Sequence, residues 1–300
     1  MLSCFFQQKP KILFYGSRGW IGGMFQEYLV KNDIEVIEGT KPILTATSIV
    51  TDIKVYKPTH IVSFIGRTHG IIDNKPVNTI DYLEHPGKLV ENVRDNLFIP
   101  INFAMICKEY GIHFTYLGTG CIFTSSGLDT DTPQQFKEND LPNFFGSSYS
   151  VVKGFTDRLM HRFNVLNLRI RMPISSKPND RNFINKIAKY EKICSIPNSM
   201  TILDDFFPIF MDLIIKKKTG TYNCTNPGLI THDEVLSLYR ETIDPSFTWI
   251  NFSKQEQDEI LKSDRSNNFL NTDKIEKKYN VPNIKKSMLS VMLKMKKEKK

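Results

Sequence analysis

The stretch "KILFYGSRGWIGGMFQEYLVKN" (residues 11–32) limits the possible folds more than any other. A short run rich in strand formers meets Gly16, Gly19 and Gly22, spaced as GxxGxxG, and an amphipathic pattern follows at once. Strand, tight turn and helix, in that order, is the setting in which such glycines receive a pyrophosphate. Gly16 can take the positive φ of a sharp turn and Gly19 lets a ligand reach the backbone. The opening N–H groups of the helix, at the positive end of its dipole, then face an anion. The turn therefore predicts dinucleotide binding by Gly16, Ser17, Arg18, Gly19, Trp20, Ile21 and Gly22.

The alternation continues. "IEVIEG" (34–39) reads as a strand, "SIVTDIKVYKP" (48–58) as a helix and "HIVSFIG" (60–66) as a buried strand. Residues 88–110 carry a long helical pattern. "IHFTYLG" (112–118) is another strand, "SYSVVKGFTDRLMHRF" (148–163) a helix and "VLNLRIRM" (165–172) a strand. This order predicts an α/β chain with a Rossmann-like, doubly wound parallel sheet and right-handed crossovers. After Pro173 the texture changes, and the later elements do not alternate. The expected division is a nucleotide-binding domain over 1–173 and a mostly substrate-binding lobe over 174–300, some segments of which return to the sheet.

From Lys285 onward seven lysines face one glutamate, which predicts a solvated, frayed basic tail over 285–300, with a membrane surface or polyanion as the alternative contact. Much of the net charge of +8 is local to that tail, and no RNA- or DNA-binding signature accompanies it. Nucleic acid is not an expected partner. No apolar run approaches the roughly 18 residues of a membrane span, and the opening residues are too short an apolar stretch for a secretory signal. A cytoplasmic protein is expected. The 5 cysteines are widely spaced without a CxxC, which argues against a disulfide framework and against a metal site.

The run "YLGTGCIF" (116–123) leaves the core by presenting Thr119, Gly120 and Cys121 in succession. Of the 11 tyrosines only Tyr149 is followed four residues later by a lysine, Lys153. One helical turn sets both side chains on one face. A cation near a phenol lowers its pKa, which suits Tyr149 to exchange a proton with a carbonyl oxygen while hydride moves at the neighbouring carbon. The pair opens the helix after the strand that delivers Thr119, at the carboxyl edge of the sheet where ligands of open α/β folds bind. Alone, Cys121 reads equally well as a small packed thiol. For the cofactor, Glu38 suits a ribose 2′-hydroxyl whereas Arg18 and Lys41 suit a 2′-phosphate. Two cations against one anion favour NADPH, with NADH as the alternative.

These residues resemble the extended short-chain dehydrogenase/reductase superfamily, in which a Ser or Thr at this strand end joins the Tyr and Lys. More narrowly, "GSRGWIGG", "TGCIF", "PNFFGSSYS", "LRIRMPIS", "RNFINKI", "IPNSMTILDD", "YNCTNPG", "DPSFTW" and "RSNN" are similar to UDP-rhamnose synthase type 3,5-epimerase/4-reductases, over residues 12 to 270. The resemblance implies NADPH-dependent conversion of UDP-4-keto-6-deoxyglucose to UDP-L-rhamnose, with C3 and C5 inverted and the C4 ketone reduced. It implies Thr119, Tyr149 and Lys153 for reduction, Cys121 and Lys186 as the proton carriers of inversion, and Asn96 as a brace of the active site. Asn182 and Asn198 are implied for the substrate. Arg265 is the candidate for its diphosphate, since a fork of donors suits paired phosphate oxygens, with a surface ion pair as the alternative. Gly120 is expected to leave room for the sugar.

Related dehydratases carry acidic residues directly after the strand-end Thr, where this chain has Gly120 and Cys121, so a separate 4,6-dehydratase is expected to supply the ketone. A homodimer is the expected assembly. The segment 63–85 departs from the shorter one expected in the family. Two rival readings stand. A monofunctional NDP-4-keto-6-deoxysugar reductase, dTDP-4-dehydrorhamnose reductase-like, would need neither Cys121 nor Lys186, and a non-catalytic regulatory subunit would only bind nucleotide.

Overall fold

In the computed structural model, which describes residues 9–40 and 45–298, a six-stranded parallel sheet forms the centre of the molecule. Its strands are β1 (Lys11–Tyr15), β2 (Glu35–Glu38), β3 (His60–Ser63), β4 (His113–Thr119), β5 (Leu166–Ile170) and β6 (Gly220–Asn223). They lie side by side in the order β6-β5-β4-β3-β1-β2. The order reverses between β1 and β3, and such a switch point opens a crevice at the carboxyl ends of the strands.

Both faces of the sheet are covered, which is why its strands read as nearly unbroken apolar runs. On β1, Ile12 and Phe14 point into one cluster, with Phe25, Leu29, Phe206 and Phe210. Leu13 and Tyr15 point into the other, with Ile49, Ile53, Phe103 and Tyr116. The first face is covered by α1 (Trp20–Lys31) and α7 (Leu203–Ile215). The second is covered by α2 (Ala46–Tyr56), α4 (Ile99–Glu109) and α5 (Ser148–Met160). Thus α7 and β6, both beyond Pro173, belong to the layers of the central sheet.

The long helical pattern over 88–110 is interrupted. α3 (Lys88–Val93) passes through one wide π turn (Arg94–Phe98) into α4. Pro100 has no N–H for the carbonyl of Asn96 four residues back, and that carbonyl instead accepts the Thr156 hydroxyl at 2.6 Å.

A third cluster builds the second lobe from Ile174, Ile184, Met200, Ile230 and Leu236, and α9 (Ile284–Glu298) completes it. Here the structure corrects the expectation of a frayed tail. Ile284, Met288, Val291, Met292 and Met295 recur at helical spacing and are buried in this cluster, with the lysines on the outer face. Lys299 and Lys300 lie outside the described residues.

Candidate active site

The glycine turn has the geometry its spacing predicts. Gly16 has φ +97°, and a Cβ on it would stand 2.8 Å from the Phe64 carbonyl carbon. A Cβ on Gly22 would come within 2.1 Å of Gly16 O, so helix and turn approach as only glycine permits. Gly19 caps α1 without a side-chain hydrogen bond, and no acidic residue stands in its first turn, which leaves the opening N–H groups of a 12-residue helix free for an anion. Trp20 Nε1 is buried without a partner. Open donors and a backbone cradle fit a dinucleotide pyrophosphate. Gly19, Trp20, Ile21 and Gly22 line the main cavity, Ser17 is buried beside it and Arg18 is exposed. Lys41 lies outside the described residues.

That cavity, of about 1010 Å³, runs from the glycine turn between sheet and second lobe, and Thr119, Cys121, Tyr149, Lys153 and Lys186 share its wall. Thr119 ends β4, and its Oγ1 accepts the Cys121 N–H at 3.1 Å. The Cys121 carbonyl accepts the Ser150 hydroxyl at 2.7 Å, and Ser147 caps α5 by accepting the Ser150 N–H at 3.0 Å. The strand end is thereby tied to the helix that carries Tyr149 and Lys153. Gly120 has a different role from the one expected, because the space a Cβ would take is filled by Leu270, 2.6 Å away.

Tyr149 is buried, and burial is the main force raising its phenol, seconded by Cys121; the Thr119 hydroxyl opposes them. The expected lowering by Lys153 is absent among these influences. The Lys153 Nζ donates instead to the phenol of Tyr116 and lies 4.5 Å from the centre of its ring. Burial brings the Lys153 amine down to about 7, against the pull of Asp157 and Cys121. Lys186, on α6 (Phe183–Ile187), donates to the Asn78 carbonyl at 3.0 Å, and burial followed by the Arg181 cation lowers its amine.

The residues expected at the substrate are distributed differently. Arg265 reaches the cavity wall but is held by Asp81 at 2.5 Å and by the Ser263 hydroxyl, so the ion-pair alternative is the one the structure shows. Asn182 is fully buried at the start of α6, its amide donating to the Ser175 and Lys177 carbonyls, and stands outside the cavity wall. Asn198 is also behind the wall, where its Oδ1 accepts from Arg171 and from the Asn268 N–H. Asn96 braces the wall, exchanging hydrogen bonds with the Arg67 backbone at 3.0 and 2.9 Å.

Sequence reasoning passed over Arg171, which follows β5 and points its guanidinium at Cys121 Sγ, 3.4 Å away. The signal was present: "LRIRM" places two arginines in a strand otherwise buried and apolar. Arg169 meets Asp157 at 2.6 Å. Among the described residues no carboxylate faces Arg171. No cluster of His, Cys, Asp and Glu there is arranged to hold a metal, and no helix is long and apolar enough to cross a membrane.

No protein-family model matches the chain. It is 53% identical over 289 residues to protein L780 of Acanthamoeba polyphaga mimivirus, which covers 95% of this chain and 99% of L780. The crystal structure of L780, described as a UDP-rhamnose synthase, superposes with a TM-score of 0.91 at 52% identity. A bifunctional dTDP-4-dehydrorhamnose 3,5-epimerase/dTDP-4-dehydrorhamnose reductase of Arabidopsis thaliana is 42% identical over 281 residues, covering 92% of this chain and 90% of the relative. The fold alone is shared with a Bacillus anthracis dTDP-4-dehydrorhamnose reductase in complex with NADP, at TM-score 0.78 and 16% identity, over 95% of this chain and 99% of that one.

Proposed function

The chain belongs to the rhamnose-synthase family of bifunctional 3,5-epimerase/4-keto reductases, and we propose that it converts UDP-4-keto-6-deoxyglucose to UDP-L-rhamnose. The observation that carries this reading is the meeting of Thr119, Tyr149 and Lys153 with Cys121 and Lys186 on one cavity that reaches the glycine turn. NADPH, when bound, supplies the hydride. Gly16, Gly19 and the start of α1 would hold its pyrophosphate, and Arg18 and Lys41 its 2′-phosphate.

The chain's own residues handle protons. A ketone at C4 acidifies the hydrogens at C3 and C5, and inversion at either carbon needs a proton acceptor on one face and a donor on the other. Cys121 and Lys186 fill these roles. Tyr149, whose phenol keeps its proton through the neutral range because burial disfavours its anion, gives that proton to the C4 oxygen during reduction. Thr119 holds the same oxygen, and Lys153 orients the cofactor ribose. Arg265 takes the substrate diphosphate once parted from Asp81.

A separate 4,6-dehydratase supplies the ketone, because the strand end offers Gly120 and Cys121 in place of a carboxylate acid. The free thiols of Cys107, Cys121, Cys194 and Cys224 suit the reducing cytoplasm. A homodimer is supported by exposed apolar side chains on neighbouring helices, Val90, Phe98 and Met105 with Phe155 and Leu159.

The test is product analysis after incubation with NADPH and either the UDP or the dTDP ketone in deuterated water. UDP-L-rhamnose carrying deuterium at C3 and C5 is expected. A reduced sugar with neither inversion nor deuterium would mark a monofunctional reductase, and faster turnover of the dTDP ketone would reverse the nucleotide assignment.

A further inference from the structure

Arg171 is one of the two largest fully buried side chains, with 1% of its surface exposed, and a guanidinium sealed from water needs a counter-charge. What surrounds it is neutral: its amino groups donate to Asn198 Oδ1, to the Ser266 carbonyl and, at 3.1 Å, to the Ser266 hydroxyl. Its Nε has no partner. Among the described residues, the one neighbour able to turn anionic is the Cys121 sulfur, at 3.4 Å. The other titratable groups with an electrostatic influence on this pair are Tyr149 and Lys153 from α5, and His232 at the start of α8 (His232–Thr242). Tyr149 is held protonated by burial, and His232, which burial takes down to about 4, is neutral in the working range. Neither supplies the missing charge.

The backbone adds a second sign of constraint. Met172, the residue after Arg171, has φ +39° although it precedes Pro173, a position that favours extended backbone with negative φ. Strain of this kind persists where the surroundings over-determine the chain, and here it stands next to Arg171.

We propose that Arg171 is a positioning residue of the epimerisation, aiming the Cys121 sulfur and supplying the positive charge against which the thiol gives up its proton. The proposal rests on the reading of Cys121 and Lys186 as proton carriers. In the D-gluco ketone the hydrogens at C3 and C5 lie on one face of the ring, so a single group collects both and must be emptied in between. A sulfur beside a fixed cation suits that task. In each inversion the C–H bond breaks, its proton forms S–H with Cys121, and the electron pair moves to the C4 oxygen as an enolate. Lys186 then gives a proton to the opposite face as the enolate returns to the ketone. Cys121 releases its proton to water and Lys186 regains one before the second carbon is processed.

Alkylation by iodoacetamide reads the thiolate fraction without any turnover. In the full chain the rate at each cysteine is followed by mass spectrometry across pH, for wild type, Arg171→Lys and Arg171→Met. At pH 7 Arg171→Met should label Cys121 roughly tenfold or more slowly. Arg171→Lys keeps the charge but loses the fork, and should fall between. Unchanged slow labelling of Cys107 and Cys224 reports that the fold is intact; if Arg171→Met unfolds, Arg171→Lys carries the comparison. Wild-type labelling of Cys121 in a folded variant overturns the role of Arg171. The same preparations are assayed for deuterium entry at C3 and C5 beside Cys121→Ala. Exchange that persists in Cys121→Ala removes the underlying reading, whereas exchange lost there with Cys121 labelling unmoved in the Arg171 variants removes the Arg171 role alone.

Discussion

The Lys153 Nζ donates to the Tyr116 phenol on β4, although Tyr149 lies one helical turn behind it on the same face of α5. The strand, and not only the helix, therefore decides where this lysine rests. Both groups are buried.

This burial makes stability depend on pH. With its amine at about 7 in the folded protein and near the ordinary 10.5 when unfolded, Lys153 binds fewer protons folded than unfolded between those values. Unfolding there takes up protons, so the lysine's contribution to stability rises as pH rises through the window. Melting temperature should increase from pH 7 to pH 9 by more in wild type than in Lys153→Met. Equal slopes for the two proteins would mean that the amine stays charged when buried.

Tyr149→Phe keeps the ring and removes the proton. Oxidation of NADPH with the 4-keto sugar should fall by about a hundredfold or more, the usual scale of lost general-acid chemistry. NADPH binding followed by fluorescence should be retained, since the glycine turn is untouched. Turnover near the wild-type rate would take Tyr149 out of the mechanism.

Gly22→Ala and Gly23→Ala form a matched pair on α1. The new Cβ at Gly22 would stand 2.1 Å from Gly16 O and 2.8 Å from Gly16 C, backbone atoms that can yield only by opening the turn. At Gly23 the nearest atom is Ser17 O at 3.0 Å, a contact that a small shift relieves. Gly22→Ala should lose roughly 1–3 kcal/mol of stability, as overpacked sites do, together with most of its NADPH affinity. Gly23→Ala should be far milder, because helix propensity gained from Ala offsets the contact. Thermal melts and NADPH titration give the ranking, and equal losses in the two variants would refute the argument from close approach.

The sheet and glycine turn were legible because both follow from local pattern: apolar strands buried on two faces, and glycines at a strand-helix junction. Tyr149 and Lys153 were legible for the same reason, as neighbours on one helix. What escaped depends on contacts distant in sequence. Leu270 fills the space beside Gly120, Asp81 holds Arg265, and the Asn96 carbonyl is released by Pro100 to reach Thr156. The lysine density after Lys285 hid the apolar stripe of α9. Arg171 was visible as an anomaly in its strand, but only the fold shows that Asp157 satisfies Arg169 and leaves Arg171 to Cys121.

Lys186 offers the sharpest separation of inversion from reduction. Its Nζ is fixed on the Asn78 carbonyl at 3.0 Å, and burial with the nearby Arg181 cation lowers its amine, which eases proton release near neutrality. Lys186→Met should cut deuterium entry at C3 and C5 by about a hundredfold or more, on the general-acid scale. The same variant should still reduce a UDP-4-keto-L-rhamnose supplied already inverted, since Thr119, Tyr149 and Lys153 are unchanged. Arg181→Met supplies the pH test: without its neighbouring charge the Lys186 amine holds its proton more firmly, so the limb of the exchange profile set by Lys186 should move to higher pH. Wild-type exchange in Lys186→Met would return this lysine to a purely structural contact with Asn78, and a limb that stays in place in Arg181→Met would mean that the Arg181 charge does not tune it.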